Sequence, residues 1–300
     1  MIRSTFGALL LLMLALLAGA PRAALAAESY DNCTGFITSL PAVITTQGTW
    51  CLKQDVNTAI TTGNAITIAT NNVILDCNDF KIGGLAAGVA TEAYGIAAGN
   101  RLNITVRHCN VRGFFIGTGL WGKFSSGNTV EDNRFDNNTY IGLQIAGDGS
   151  TARRNRVLDT GGSTVASTTG GAVGIYSQYY ADVLDNTVSG VAATSGTDGD
   201  VAGISVQFSD VTLGSSVGSS IDGNRVRGLS PAGTGTAGGI ISFQTQRLVL
   251  RNNDLVGDSS AGSATGIACY ASDSHAKENV INGFATGIFA CSDDGNVIAP

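Results

Sequence analysis

Apolar and polar residues alternate along this chain in short runs that repeat one degenerate phrase. Each phrase places an apolar residue two positions after an Asn, and a Gly-rich turn then leads to a Gly-Ile pair. The units carry two or three alternating strands and no helical periodicity. Repetition at about 22 to 38 residues with this content predicts a β-solenoid. The Asn residues are Asn133, Asn155, Asn186, Asn224, Asn253 and Asn279, and the Gly-Ile pairs begin at Gly95, Gly174, Gly203, Gly239, Gly266 and Gly287.

The repeated residue types have a packing explanation. In a solenoid, equivalent residues of successive coils stack at the strand spacing of about 4.8 Å. Asn amides at an inward turn can donate to and accept from the amides above and below, while the apolar residues form a dry axial core. Glycine would supply positive φ at the corners. The 41 Gly and 4 Pro agree with this, because nearly every strand must offer N–H groups to its neighbours.

Three segments differ in composition. Residues 1–26 combine Arg3, a Leu-rich apolar run and an Ala24-Leu25-Ala26 cleavage pattern, which predicts a secretory signal peptide. Residues 27–59 are predicted to be an N-terminal capping segment, and residues 60–300 a β-helix domain of about nine coils. No later run of the sequence is long and apolar enough to span a bilayer. We therefore expect a secreted or periplasmic protein.

The six cysteines of an exported chain predict disulfides. Cysteines at similar positions of successive coils would have Cα atoms about 4.8 Å apart, within disulfide reach. The alternative is a metal site, but the sequence has no Cys-x-x-Cys pair and no His at ligand spacing. We predict no metal site and no cofactor, with calcium as the alternative. The expected pairs are Cys77–Cys109, Cys269–Cys291 and Cys33–Cys51.

The net charge is acidic. It is −6 for the whole chain, and removal of residues 1–26 deletes Arg3 and Arg22 but no acid, which gives −8. This balance argues against a nucleic-acid partner, which would need a basic stripe. Local basic clusters stay open, although the simpler interpretation is exposed strand positions beside the core. The arginines concerned are Arg153, Arg154, Arg156, Arg225, Arg227, Arg247 and Arg251.

Two segments carry a resemblance to known proteins. Residues 75–83 (Leu-Asp-Cys-Asn-Asp-Phe-Lys-Ile-Gly) and 103–114 (Asn-Ile-Thr-Val-Arg-His-Cys-Asn-Val-Arg-Gly-Phe) resemble the opening coils of secreted bacterial β-helix proteins of the pectin-lyase-like superfamily. The resemblance covers roughly residues 50–300. It implies an all-β fold, a single-stranded right-handed parallel β-helix. Because that superfamily includes lyases, hydrolases, epimerases and adhesins, it does not fix an activity.

The motifs of the superfamily's enzymes are missing from the sequence. The one Asp-Asp pair, Asp293-Asp294, lacks the companion motifs of polygalacturonases, and there is no Asp-Pro-His-Asp of alginate epimerases. His108 is expected to point outward from a strand and His275 to lie at a turn. We therefore expect a non-catalytic protein. A polysaccharide lyase or glycoside hydrolase of the pectin-lyase-like type is the alternative, and a structural or adhesion protein is a further one.

Polar and aromatic residues recur after the Gly-Ile phrases and predict a lengthwise strip on the stacked strands. Rings stack on sugar faces and amides bind hydroxyls, so the strip predicts a monomeric protein that binds a polysaccharide or cell-surface glycan. In the opposing interpretation the rings pack inward and the acids cap turns. If the protein is an enzyme, the paired carboxylates one coil apart would be a glycosidase pair. The ligand-binding candidates are Gln178, Tyr179, Gln207, Phe208 and Gln244, and the catalytic candidates are Asp182, Asp210 and Arg247.

Overall fold

The computed structural model describes residues 30, 32–207, 218–243, 247–258, 263–270 and 274–299. These residues belong almost entirely to one compact unit, Cys33–Pro300. The predicted signal peptide, residues 1–26, lies outside the described residues.

The described chain is built from short strands and two 3₁₀ turns. In chain order the first strands are β1 (Gly35–Ile37), β2 (Ala42–Ile44), β3 (Gly48–Leu52), β4 (Val56–Asn57), β5 (Asn64–Ile68), β6 (Val73–Asp76), β7 (Lys81–Gly83), β8 (Tyr94–Gly99), β9 (Ile104–Arg107), β10 (Asn110–Arg112) and β11 (Ile116–Trp121). They continue with β12 (Thr129–Glu131), β13 (Arg134–Asp136), β14 (Ile141–Ala146), β15 (Thr151–Arg153), β16 (Arg156–Gly161), β17 (Ala172–Gln178), β18 (Asp182–Leu184), β19 (Thr187–Ala192), β20 (Val201–Gln207) and β21 (Ser219–Asp222). The last are β22 (Arg225–Ser230), β23 (Ala237–Ser242), β24 (Leu248–Arg251), β25 (Asp254–Val256), β26 (Thr265–Cys269), β27 (Ser274–Lys277), β28 (Val280–Asn282), β29 (Thr286–Phe289), β30 (Ser292–Asp294) and β31 (Val297–Ala299). The 3₁₀ turns are Leu85–Ala87 and Ala166–Thr168.

The strands form three parallel sheets that the chain visits in rotation. Sheet A runs β1-β3-β6-β9-β12-β15-β18-β21-β24-β27-β30, sheet B runs β2-β5-β8-β11-β14-β17-β20-β23-β26-β29, and sheet C runs β4-β7-β10-β13-β16-β19-β22-β25-β28-β31. This is the expected right-handed parallel β-helix, with ten strands in two sheets where about nine coils were predicted. Strands of the predicted capping segment, β1 to β4, pair in the same parallel manner. No helix among the described residues is long and apolar enough to cross a membrane.

A ladder of buried asparagines lines the corner between sheets A and C, as the sequence predicts. Each side-chain Nδ2 donates to Oδ1 of the Asn one coil further, over distances of 2.8 to 3.0 Å. Each Oδ1 also accepts the backbone N–H of the Asn before it, as Asn186 does from Asn155 at 2.9 Å. Cys109 stands at the rung before the first Asn and donates its N–H to Asn133. The members are Asn133, Asn155, Asn186, Asn224, Asn253, Asn279 and Asn296.

The Gly of the Gly-Ile pairs is required by close packing between sheets B and C. A Cβ on Gly174 would lie 2.4 Å from Val188 Cγ1 and 2.5 Å from the carbonyl oxygen of Gly203. Positive φ was the expected reason for glycine, and corner glycines such as Gly147, directly after β14, do have it. The residue before each ladder Asn is mostly not glycine, however, and Asp132 and Arg154 have φ of 55° and 54° there. The expectation that glycine supplies the positive φ was therefore wrong for the corner between sheets A and C, where the Asn ladder lies.

The three disulfides have the expected pairing. Cys77 and Cys109 link adjacent coils with Cα atoms 4.7 Å apart. Cys269 and Cys291 do the same at 5.1 Å. Cys33 and Cys51 close a loop before the second coil. Two of the bridges therefore join neighbouring coils at Cα distances within disulfide reach, and the third joins a residue before β1 to one in β3.

Candidate functional site

The three sheets differ sharply in charge. In its described strands, sheet B contains no Asp, Glu, Lys or Arg, although it is ten strands long. Sheets A and C carry charged side chains on most of their strands. The outward residues of sheet B are small, aliphatic, aromatic, hydroxyl or amide side chains. This uncharged outer surface of sheet B, which we name the neutral face, is the candidate site.

One aromatic cluster lies on the first half of the neutral face. Tyr94 of β8 and Trp121 of β11 pack with ring centroids 5.1 Å apart. Burial, with a contribution from Tyr140, raises the pKa of Tyr94. Burial also raises the pKa of Tyr176 to about 12, with contributions from Tyr140 and Tyr179. These phenols are therefore neutral at any physiological pH and serve as hydrogen-bonding groups on an apolar surface.

An amide network joins three coils in the middle of the neutral face. Gln178 and Gln207 are direct partners in the register of β17 and β20. Gln144 Nε2 donates to Gln178 Oε1 at 3.0 Å, and the Tyr176 hydroxyl donates to Gln207 Oε1 at 2.8 Å. Gln178 Nε2 lies 3.3 Å from that hydroxyl. The structure thus brings together two residues that the sequence analysis selected, and orients both amides.

A groove of about 420 Å³ occupies the second half of the neutral face. Its floor includes Ser205 and Ile241, and Phe243 and Tyr270 stand at one side. The two rings stack, and both are exposed, by 43% and 58%. Exposed rings beside hydroxyl groups make a surface that suits an amphipathic ligand.

Stacked corner loops wall the other side of this groove. The loops lie between β16 and β17, between β19 and β20, and between β22 and β23. Thr234 N–H donates to Asp198 Oδ1 at 2.8 Å, and Thr236 N–H donates to Asp200 Oδ1 at 2.7 Å. Asp200 and Thr236 also line the groove. Because each loop is bonded to the next, the wall is a built part of the site.

The remaining ligand-binding candidates are distributed differently. Tyr179 is half-buried at the corner from sheet B to sheet A, with φ of 51°, and it lies close enough to Tyr176 to raise its pKa. Phe208 and Gln244 lie outside the described residues. Of the ligand-binding candidates, the described residues therefore include Gln178, Tyr179 and Gln207.

Two of the catalytic candidates line a separate cavity on sheet A. Asp182 and Arg247 border a space of about 320 Å³ together with Arg251. Burial raises the pKa of Asp182, and the nearby Asp148 adds to it, although the carboxylate accepts the Ser220 N–H at 2.7 Å. Asp210, the expected partner carboxylate, lies outside the described residues. This cavity is around the corner from the neutral face.

The two histidines exchange their expected settings. His108, expected on a strand, lies at the A–C corner with φ of 51°, and its Nδ1 is 3.2 Å from Asp76 Oδ1. His275, expected at a turn, is an exposed residue of β27. The spacing of the repeat phrase was misread by a few residues at both places. Neither histidine lies on the neutral face.

Several residues of the neutral face were missed by the sequence analysis. Trp121, Tyr94, Tyr140 and Gln144 precede the coils where the polar and aromatic residues recur after Gly-Ile. Their common signal is a position in the outward register of sheet B, which becomes readable only once strands are aligned. The alignment of Trp121 with Gly99 illustrates this register.

Fold and surface together define the class of protein: an exported parallel β-helix with an uncharged, aromatic outer sheet. Within that class, residues 29–197, more than half of the chain, match the family described as periplasmic copper-binding protein (NosD), and the chain belongs to this family. It is a secreted or periplasmic protein, and its disulfides agree with that location. The expected fold, a right-handed parallel β-helix, is confirmed by the three parallel sheets.

Solved structures with a similar course of the chain have very different sequences. The A-module of the mannuronan C-5 epimerase AlgE4 from Azotobacter vinelandii is 12% identical, with a TM-score of 0.49 over 89% of this chain and 87% of that one. The surface adhesin PfbA of Streptococcus pneumoniae is 14% identical (TM-score 0.48, 82% and 62%), and the pectate lyase Pel9A is 14% identical (TM-score 0.47, 82% and 68%). At these values they carry no argument about activity. No curated protein matches the sequence.

Proposed function

We propose that this protein is an exported, non-catalytic glycan-binding module that holds a neutral glycan along the neutral face. The observation that carries the proposal is the composition of sheet B. It has no charged residue in its described strands, and aromatic rings stand toward both of its ends, half-buried at Tyr94 and Trp121 and exposed at Phe243 and Tyr270. Aromatic faces stack on the apolar faces of sugars, and amides and hydroxyls bind sugar hydroxyls.

The dimensions of the neutral face suit an extended ligand. Trp121 follows the register of β11 and Phe243 that of β23, four strand steps away, which corresponds to about 19 Å. The amides of Gln178 and Gln207 lie between these rings. A glycan aligned with the helix axis would therefore meet rings at both ends and amides in the middle. A polymer with a charge on every residue would find no counter-charge on the sheet.

The family description names copper, so the side chains of this chain that could bind copper bear on its function. Copper favours thiolate, thioether and imidazole ligands. All six cysteines are in disulfides, and both methionines, Met1 and Met13, lie outside the described residues. His108 and His275 are separated by six strand steps of sheet A, about 29 Å. In the described ranges no three His, Cys, Asp or Glu side chains could hold a metal, so these residues do not fit a copper site.

A carbohydrate-active enzyme is the second candidate, and one observation favours it. Asp182 is half-buried with a raised pKa, in a cavity that Arg247 also lines. A carboxyl group with a raised pKa is a feature of general acids. Its position on sheet A places it beside the neutral face and away from the groove, which is why binding without turnover is the proposal.

The experiment is an array of neutral and acidic polysaccharides probed with the mature protein, read for both retention and newly formed reducing or unsaturated ends. We expect retention on a neutral polysaccharide, without product, and little change when the salt concentration is raised, because no ion pairs are involved. Product formation would show that the protein is an enzyme and not a binding module. Retention only on acidic polymers, or none at all, would overturn the proposal.

A further inference from the structure

Sheet C carries an excess of positive charge in an acidic chain. Six cations and three carboxylates, Asp136, Asp159 and Asp254, lie on its described strands. Sheet A has the opposite balance, with four cations and six carboxylates. The cations of sheet C are Lys81, Arg112, Arg134, Arg156, Arg225 and Arg227.

Sheet A shows how this fold arranges charges for its own stability. In one outward column Asp76, Arg107, Glu131 and Arg153 follow each other on successive coils, so that the sign alternates at each step. The contacts are close: Arg107 Nε lies 2.7 Å from Asp76 Oδ2, and Arg153 Nη2 lies 2.6 Å from Glu131 Oε2. Opposite charges on directly paired positions stabilise a sheet, and like charges there destabilise it.

On sheet A the like charges Arg251 and Lys277 are also direct partners, but each has a carboxylate within 4 Å, and sheet C departs further from that rule. Arg134 and Arg156 are direct partners in the register of β13 and β16. Arg134 has a carboxylate, with its Nε 2.7 Å from Asp136 Oδ2, whereas Arg156 forms no ion pair with any described residue. Two strands further, Arg225 and Arg227 project from the same side of β22, and Arg227 likewise has no ion pair with the described part of the chain. Arg225 Nε lies 3.3 Å from Asp254 Oδ2, so Arg156 and Arg227 are the arginines of this surface without an ion pair in the described part of the chain.

The strand between these arginines is polar, and the strands beyond β22 carry exposed valines together with Asp254 and Asn282. Thr187 and Ser189 of β19 lie between Arg156 and β22 in the register. On the far side of β22 the outward residues include Val256, Val280 and Val297, exposed by 44%, 48% and 60%. The outer surface of sheet C from β16 to β31, which we name the basic face, therefore joins free guanidinium groups to a row of exposed aliphatic side chains.

We propose that the basic face docks onto an anionic phospholipid surface. Guanidinium groups bind phosphate through paired hydrogen bonds, and a negatively charged leaflet attracts each arginine held near it. Aliphatic side chains on the same surface enter the boundary between headgroups and acyl chains. A soluble polyanion would use the arginines and leave the valines in water. The combination on one surface therefore selects the lipid, and the protein's exported location gives it access to a membrane leaflet.

The test is flotation of the mature protein with vesicles of phosphatidylcholine alone and of phosphatidylcholine mixed with phosphatidylglycerol. We expect binding to the mixed vesicles only, decreasing as salt is raised. Replacing Arg156, Arg225 and Arg227 together by Gln should weaken binding on the order of a hundredfold. Val256→Ser with Val280→Ser should weaken it by about tenfold.

The matched control removes the same charge from sheet A, as Arg153→Gln, Arg251→Gln and Lys277→Gln, and should leave vesicle binding within about twofold. Circular dichroism and thermal unfolding report whether each variant is folded. Equal losses in the two triple variants would overturn the proposal, because the effect would then be one of net charge. Absence of vesicle binding by the native protein, with tight binding of long-chain polyphosphate, would overturn the lipid assignment.

Discussion

The rings of Phe243 and Tyr270 stack with centroids 5.1 Å apart and planes inclined by 11°. They stand on consecutive coils, so their separation is close to the strand spacing itself. Tyr270 also packs against Phe289 at 5.6 Å, which extends the series to a third coil. All three rings keep about half of their surface in solvent. The β-helix register therefore builds a continuous aromatic surface that the core does not use.

Replacing these rings should weaken glycan binding without affecting the fold. Phe243→Ala and Tyr270→Ala are each expected to reduce affinity by about 1 to 3 kcal/mol, the scale for an aromatic contact at an interface. Calorimetry with the polysaccharide retained on the array measures the change. Val280→Ala, a similarly exposed apolar residue on sheet C, is the control and should bind as the native protein does. Unchanged affinity in both aromatic variants would show that the groove is ordinary β-helix surface.

The Asn ladder should be the most sensitive polar element of the core. Asn186 is 1% exposed, donates to Asn224 Oδ1 and Ala152 O, and accepts from both nitrogens of Asn155. Asn186→Ala leaves several buried partners unsatisfied and should cost about 3 kcal/mol or more of the unfolding free energy in denaturant titration. Asn296→Ala removes a rung that is only partly buried, so a much smaller loss is expected there. Equal losses of unfolding free energy in the two variants would contradict the expectation that a more deeply buried Asn contributes more to stability.

Inward glycines should tolerate no side chain. Gly174→Ala places a Cβ 2.4 Å from Val188 Cγ1, and this overpacking should lower the unfolding free energy by about 3 kcal/mol. Gly162→Ala is the comparison, because its φ is +83° and nothing lies within 4 Å. Its cost should be limited to about 1 kcal/mol of backbone strain. Val188→Ala combined with Gly174→Ala should recover part of the loss, since the Gly203 carbonyl contact remains.

Asp76 should make stability depend on pH. Burial opposes its ionisation, but hydrogen bonds from Asn78 N–H, Arg107 and His108 outweigh that effect and hold its pKa below the ordinary 3.8. The ionised group therefore stabilises the fold above the unfolded pKa, and this contribution is lost as the pH falls through the lower folded value. Asp76→Asn should cost about 2 kcal/mol at neutral pH and almost nothing in strong acid.

Urea unfolding of native protein and Asp76→Asn across this acid range measures the difference. Arg107→Gln removes the strongest ion-pair partner, at 2.7 Å, and should show the same pH dependence with a smaller amplitude. A difference that persists in strong acid would mean that Asp76 acts through the shape of its hydrogen bonds and not through its charge.

The sequence predicts the fold because the two repeated elements of the coil, the ladder Asn and the Gly-Ile pair, are short motifs that can be recognised in the sequence. Each ladder Asn meets the Asn of the next coil, and from Gly174 onward each Gly-Ile pair meets another Gly-Ile pair, so the periodicity gives the register. The disulfide Cys77–Cys109 follows from that register. The signal peptide and the domain boundaries remain predictions, and so do the roles of Gln178 and Gln207 in binding.

The surfaces could be predicted only in part, because each surface is formed by residues from many coils. Gln178 and Gln207 were found since both follow a Gly-Ile phrase, but Trp121 carries no such mark in the sequence. Arg134 and Arg156 look like ordinary exposed residues until the register shows them as direct partners. A shift of one residue in the assumed strand moves a side chain to the opposite face, so an outer surface can be read only when the strand bounds are known.

Every rung of the Asn ladder repeats the same contacts. The length of chain between two rungs therefore does not change the hydrogen bonds between them. Asn186 and Asn224 are 38 residues apart, whereas Asn133 and Asn155 are 22 apart, and the amide distance is 3.0 Å in both. If the chain were cut after Asn186 and rejoined at Arg225, Asn253 would therefore become the next ladder partner of Asn186. The core residues of the joined coils would stay in register. Whole coils are in this sense exchangeable parts, and the protein can change its length, and with it the reach of each outer surface, by gaining or losing them.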